Sequence, residues 1–198
     1  MTSTDICNLA LAELGAGRIA SLTDGTEAAA TCSMQYDRQR SIVLRQFPWG
    51  FAKRIDKAQL LKDAISGYLY AYYYPINCLR ILHVVPIGEK YKRREPIDYE
   101  IYNVTNDIKA IVCDEKLINI EYIEDVTDCN LFDSLFIDAF VHKLASALAM
   151  PVAGNSGMAD RQYQMYQASL AEAKSLTAKE AKHKLKYISE YAKARQGV

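Results

Sequence analysis

Hydrophobic positions recur every three to four residues near both ends of the chain and close to every second residue in its middle. The first period is that of a helix with one buried face, the second that of a strand. A first helix is predicted over about residues 4–14. Ile6, Ala10 and Leu14 repeat at i+4, Ser3, Thr4 and Asp5 offer capping oxygens, and Gly15 and Gly17 end it. A second is predicted over about 28–47, entered through Asp24 and Glu27 in capping-box spacing and stopped by Pro48. It carries Cys32, Tyr36, Val43 and Phe47 on one face, with Asp37, Arg38 and Arg40 turned to solvent or a neighbouring subunit.

Between about residues 51 and 123 the period shortens. Strands are expected at 68–74, 79–85, 99–104, 108–112 and 117–123, the last two joined by a loop from Cys113 to Lys116. Five or six strands with connections this short make one small, mostly antiparallel sheet. A third helix is predicted over about 131–149 from the stripe Phe132, Leu135, Phe136, Ala139, Phe140 and Leu144, closed by Pro151 and Gly154. A fourth over about 156–175 carries Tyr163, Tyr166, Leu170 and Ala173. Thr177 and Glu180 then mark either a fresh helix start or a point within a continuing one. The fold class is α+β: a bundle of N- and C-terminal helices with an inserted small, mostly antiparallel β-sheet. The division is a main domain, 1–176, and a helical tail, 177–198.

The 198 residues suffice for one sizeable core. Lysine plus arginine (24) equals aspartate plus glutamate (24), so no overall field recommends nucleic acid or a membrane as partner. Locally the balance fails. The tail sets six cations (Lys179, Lys182, Lys184, Lys186, Lys193, Arg195) against Glu180 and Glu190, a charge of +4. No apolar stretch approaches the roughly 18 uninterrupted residues of a spanning helix. Asp5 and Glu13 in the first apolar run, with no basic residue before it, do not make a secretory signal.

Chemistry is sparse. Dinucleotide, phosphate-loop, nucleophile-elbow and zinc-protease patterns do not occur, and His83, His142 and His183 stand alone. Cys7, Cys32, Cys78, Cys113 and Cys129 are scattered in apolar surroundings and fit small buried hydrophobes; no metal site and no cofactor are expected. The acidic run Glu121, Glu124, Asp125, Asp128, Asp133 and Asp138 contains no Lys or Arg. Two such carboxylates can serve as acid and base in glycoside hydrolysis, or the run is a solvated loop leading to a helix start that favours negative charge. Lys90, Lys92, Arg93 and Arg94 form a basic loop suited to phosphate, or simply a soluble hairpin tip. Tyr68, Tyr70, Tyr72 and Tyr74 share one strand face, which suits base stacking, strand pairing or subunit contact.

Several segments taken together resemble one family. They are DICNLALAELG from Asp5 to Gly15, Ile19 to Leu22, Glu27 to Ala29, Tyr36 to Arg38, and the run from Val43 through Arg45, Pro48 and Trp49 to Ala52. Tyr70 to Tyr72 with Pro75, Leu79 to Leu82, Leu148 to Pro151, and Tyr166 to Ala173 fit the same pattern. Across residues 4–175 the chain thus resembles the head-to-tail adaptors of short-tailed bacteriophages, also called tail tubular protein A or tail accessory factor. Ile76 and Asn77 depart from it where the family often has Asp after the sheet proline.

The resemblance implies a homo-oligomeric ring, a dodecamer, stacked beneath the portal protein and bridging it to the tail nozzle protein. DNA passes through the channel without sequence-specific binding. It implies a structural component of the virion tail or neck, assembled in the host cytoplasm, with no membrane partner and no catalysis. On this basis Lys182, Lys184, Lys186, Tyr187 and Tyr191 are assigned to portal contact, and Arg38, Arg40 and Arg45 to subunit contact. The alternative is a virion-associated peptidoglycan hydrolase using Glu121, Glu124 or Asp125 as acid and base. A nucleic-acid module using Arg93, Arg94 and the tyrosine strand comes third, and the neutral total charge argues against it.

Overall fold

In the computed structural model, residues 1–65, 67–87, 96–104 and 108–180 are described. Among them four helices, α1 (Ser3–Glu13), α2 (Glu27–Gln46), α3 (Ser134–Ala153) and α4 (Ser156–Glu180), flank a β-rich middle, so the α+β class holds. The caps differ from those expected, because a threonine takes each role, just before Ser3 at the first helix and two residues after Asp24 at the second. Thr2 caps α1 in a reciprocal box with Asp5: Asp5 N donates to Thr2 Oγ1 (3.2 Å) and Thr2 N to Asp5 Oδ2 (2.8 Å). Thr26 caps α2 through Ala29 N, while Asp24 accepts from the Thr26 amide and hydroxyl instead.

Among the described residues the middle of the chain forms seven strands: β1 (Lys53–Lys57), β2 (Leu60–Ile65), β3 (Tyr68–Tyr73), β4 (Cys78–Pro86), β5 (Glu100–Asn103), β6 (Lys109–Cys113) and β7 (Ile118–Glu124). They make two antiparallel sheets, β1-β7-β4 and β2-β3-β6-β5, where the sequence suggested one. The split is made within two residues. Ala58 N still donates to Ile118 O (2.9 Å) on β7, whereas Gln59 O already accepts from Tyr73 N (2.9 Å) on β3. The chain steps from one sheet to the other there. Side chains from both sheets share a core: Ile81, Val84, Ile118, Ile120 and Tyr122 from the first, Tyr72, Ile111 and Cys113 from the second.

A separate core lies among the helices, with α3 packed on α1, α2 and α4. Trp49 anchors it. Its ring meets Phe47 edge-on at 4.8 Å and Phe136 at 5.2 Å, and its Nε1 donates to Val43 O (3.0 Å). Phe136 and Phe140 are fully buried, which stabilises the body by about 1.5–3 kcal/mol each. Ile123 and Val126, at and beyond the end of β7, belong to this core and tie the sheets to the helices.

By length and composition α3 is able to cross a membrane. Its packing against three helices instead makes it the core helix of this body. It starts at Ser134, capped by Asp133, because residues 129–131 form a separate 3-10 turn. Pro151, expected to end it, sits inside the last turn, and Gly154 at φ +61° closes the helix through bonds to Ala149 O and Met150 O. Among the described residues α4 passes Thr177 without a break and reaches Glu180, so Thr177 lies within a continuing helix.

Candidate interaction surfaces

Arg38, Arg40 and Arg45, grouped by sequence, have separate fates. Arg40 is buried, which contradicts its assignment to a subunit contact. One helical turn places it within about 40° of Tyr36, on the inward face. Its Nη2 lies 3.1 Å from Asp125 Oδ1 and 3.3 Å from Oδ2, its Nε lies 3.4 Å from Oδ1, and Asp37 takes Nη1. Its charge is spent joining α2 to the segment after β7. Arg45 is exposed, yet its Nη1 donates to Leu79 O (3.0 Å) on β4. Arg38 is exposed and has no ion-pair partner among the described residues.

The acidic run is dispersed into structural tasks. Glu124 pairs with Arg54 (2.8 Å), Asp125 with Arg40, Asp128 accepts from Asn130 N (2.9 Å), and Asp133 caps α3 through Phe136 N (2.7 Å). Glu121 stands half-buried on β7, opposite Ile55 and His83. No cluster of three or more metal-ligating side chains occurs among the described residues. A hydrogen bond with Cys7 lowers the Cys32 pKa, but that thiol is fully buried, away from any substrate. Burial raises Cys78 and Cys113, and a hydrogen bond with Cys32 together with burial raises Cys7, so these three stay protonated at neutral pH.

The tyrosine face packs rather than opens. The Tyr72 hydroxyl donates to Glu115 O (2.7 Å), Tyr70 and Tyr74 lie against the inter-sheet core, and Lys109 Nζ sits 4.0 Å above the Tyr74 ring. Beside it an open cleft of about 420 Å³ runs between Asp56, Tyr73, Tyr74, Pro75, Ile76 and Tyr122. Its polar floor is spent internally, because the Tyr122 hydroxyl donates to Asp56 Oδ2 (2.7 Å). The basic loop Lys90, Lys92, Arg93 and Arg94, and the tail residues Lys182, Lys184, Lys186, Tyr187 and Tyr191, lie outside the described residues.

Two surfaces of the helical body escaped the sequence reading. A groove of about 400 Å³ between α1 and α3 is lined by Met1, Leu9, Ala12, Ile137 and Val141; beyond Leu9 and Ala12 a neighbouring depression of about 490 Å³ is bordered by Asp5 and Arg18 instead. Glu13 and Asp138 stand at its rim. Gln162 Nε2 donates to Glu13 Oε2 (3.2 Å), Ser169 donates to Asp138, and His142 Nε2 lies 3.8 Å from Asp138 Oδ1. His142 itself is held by Gln162 Oε1 at 2.7 Å from Nδ1. The second surface centres on Lys143, whose Nζ lies 4.7 Å from the Tyr163 ring centroid and 5.4 Å from that of Tyr166. Partial burial and the nearby Arg38 guanidinium lower the Lys143 pKa. One signal was available: Lys143 is the single Lys or Arg in α3.

Comparison with protein-family models and with curated protein sequences returned no match to this chain.

Proposed function

We propose that this chain is a structural subunit that closes into a ring and acts through its interfaces rather than by turnover. In particular, we assign it to the head-to-tail adaptors of short-tailed phage virions. Its ring, a dodecamer, would join the portal to the tail nozzle around the DNA channel. The observation that carries the proposal is where the family-like segments meet. Asn8, in the first of them, makes two bonds to Ile19, in the second: Asn8 Nδ2 to Ile19 O (3.0 Å) and Ile19 N to Asn8 Oδ1 (2.9 Å). Trp49, in the Pro48–Ala52 segment, fills the centre of the helical core, and Tyr166 of α4 donates to Gln46 of α2. The residues that carry the resemblance are thus those that build one helical body. The hydrolase alternative gains no support, since Glu124 and Asp125 each neutralise an arginine of the same chain.

Imaging the full-length protein by electron microscopy, alone and mixed with purified portal rings, tests this directly. Closed rings with a duplex-sized hole, seated on portal, are expected. Solitary particles in both samples, together with absence from mature virions, would refute it. Lys182, Lys184, Lys186, Tyr187 and Tyr191 remain the proposed portal grip, a basic segment suited to an acidic partner surface. Truncation after Glu180 keeps every described residue of α4 and should abolish portal capture in a pull-down; unchanged capture removes that assignment.

A further inference from the structure

Charges without an ion pair in their own chain are a resource for its partners, and two pairs of them stand on different sides of α3. Glu13 and Asp138, at the α1–α3 groove, have no Lys or Arg partner among the described residues. Arg38 and Lys143 have no carboxylate partner among them either, although Arg38 lies near enough to disfavour the Lys143 ammonium. The two pairs face apart. At about 100° per residue, Lys143 projects from α3 roughly 200° from Val141, which lines the groove. Each side also carries apolar surface. The groove exposes Met1 and Leu9, while Met34, one turn before Arg38 on α2, is 71% exposed.

We propose that the groove is the socket for the next copy of this chain. The patch formed by Met34, Arg38 and Lys143 on one subunit seats against Leu9, Ile137 and Val141 of its neighbour, with the two cations opposite Glu13 and Asp138. The match is of shape class and of sign: an apolar residue flanked by cations meets an apolar trough flanked by carboxylates. A second copy is the fitting occupant because both halves are present once on every chain. Two different faces on opposed sides of one helix make the contact heterologous, which repeats by rotation instead of stopping at a pair. This inference rests on the ring reading above and gives that ring its subunit joint. Its electrostatic part weakens as salt rises, since both faces border solvent.

Two reversed full-length variants test the pairing, Arg38→Glu/Lys143→Glu and Glu13→Lys/Asp138→Lys, with mass measured by sedimentation velocity at low salt. Each alone is expected to assemble at least about tenfold more weakly than the parent chain. An equimolar mixture should regain assembly, because every contact in an alternating ring then joins opposite charges. Circular dichroism and thermal melting verify folding. Should either pair of substitutions disturb the fold, Met34→Asp serves in its place, as that side chain is largely in solvent.

Parent-like assembly of the folded variants, or a mixture that stays dissociated, overturns the socket. In the first case parent rings still formed on portal leave the adaptor reading standing. Rings that form and respond to charge but ignore portal uphold the socket and remove the portal assignment. A parent chain that never assembles, with or without portal, overturns both. If Arg38→Glu/Lys143→Glu loses duplex DNA retention while its oligomer is unchanged, the patch belongs to nucleic acid and the socket falls.

Discussion

Asp125→Ala and Arg40→Met remove opposite ends of one ion pair, and their costs should differ. The Arg40 side chain is 6% exposed, whereas those of Asp125 and Asp37 are 28% and 77% exposed. Removing Asp125 strands a buried guanidinium with Asp37 as its remaining carboxylate. Breaking a buried pair costs about 3–5 kcal/mol, and the partial exposure of Asp125 sets the expectation near the lower end, about 3 kcal/mol. Removing Arg40 instead leaves two carboxylates that turn to water, while methionine refills most of the stem volume; about 1 kcal/mol is expected. The double variant should fall near about 1 kcal/mol, well short of the additive value of about 4 kcal/mol. Urea unfolding followed by Trp49 fluorescence and by circular dichroism measures all three. In thermal terms Asp125→Ala should lower Tm by about 6–12 °C. Equal costs for the two single variants, or an additive double variant, would refute the claim that Arg40 is the buried and dependent partner.

Asn8→Ala removes both bonds to Ile19 and leaves a buried N–H and C=O unpaired. A loss of about 2–3 kcal/mol in urea unfolding is expected, and a loss below about 0.5 kcal/mol would contradict the clamp. Hydrogen bonds from the Thr2 backbone and hydroxyl hold Asp5 below the usual carboxylate range, and bonds from the Thr26 hydroxyl and backbone do the same for Asp24. Because both folded values lie below the unfolded ones, their stabilisation is fully present above the ordinary aspartate range and is lost as pH falls through the depressed values. Carboxyl-carbon NMR titration should show both midpoints below that of an unstructured aspartate, and Asp5→Asn should remove part of the acid sensitivity of α1.

Local grammar carried much of the architecture. All four helices follow from apolar spacing, capping oxygens and Gly15 or Gly154, and five strands from short β-branched and aromatic runs. β1 escaped because four of its five residues, Lys53, Arg54, Asp56 and Lys57, are charged and show no alternation. The split into two sheets depends on which strand each of Ala58 and Gln59 bonds, and composition does not encode that. Pairing across distance explains the rest. The i,i+4 spacing from Tyr36 pointed Arg40 inward, but its partner Asp125 lies 85 positions away, so nothing nearby showed how a buried charge would be met. For the same reason Glu13, Asp138, Arg38 and Lys143 could not be told apart from neutralised charges until the helices were packed.

The composition that hid β1 has a use of its own. Among the described residues β1 is a border strand of its sheet, where one row of amides and carbonyls has no sheet neighbour. A flat apolar border would invite another molecule's strand to zip onto it. Four ionic side chains in five positions make such pairing repulsive and wet. Were many copies packed side by side, as in the proposed ring, they could stack by their helices without their sheets fusing into fibrils.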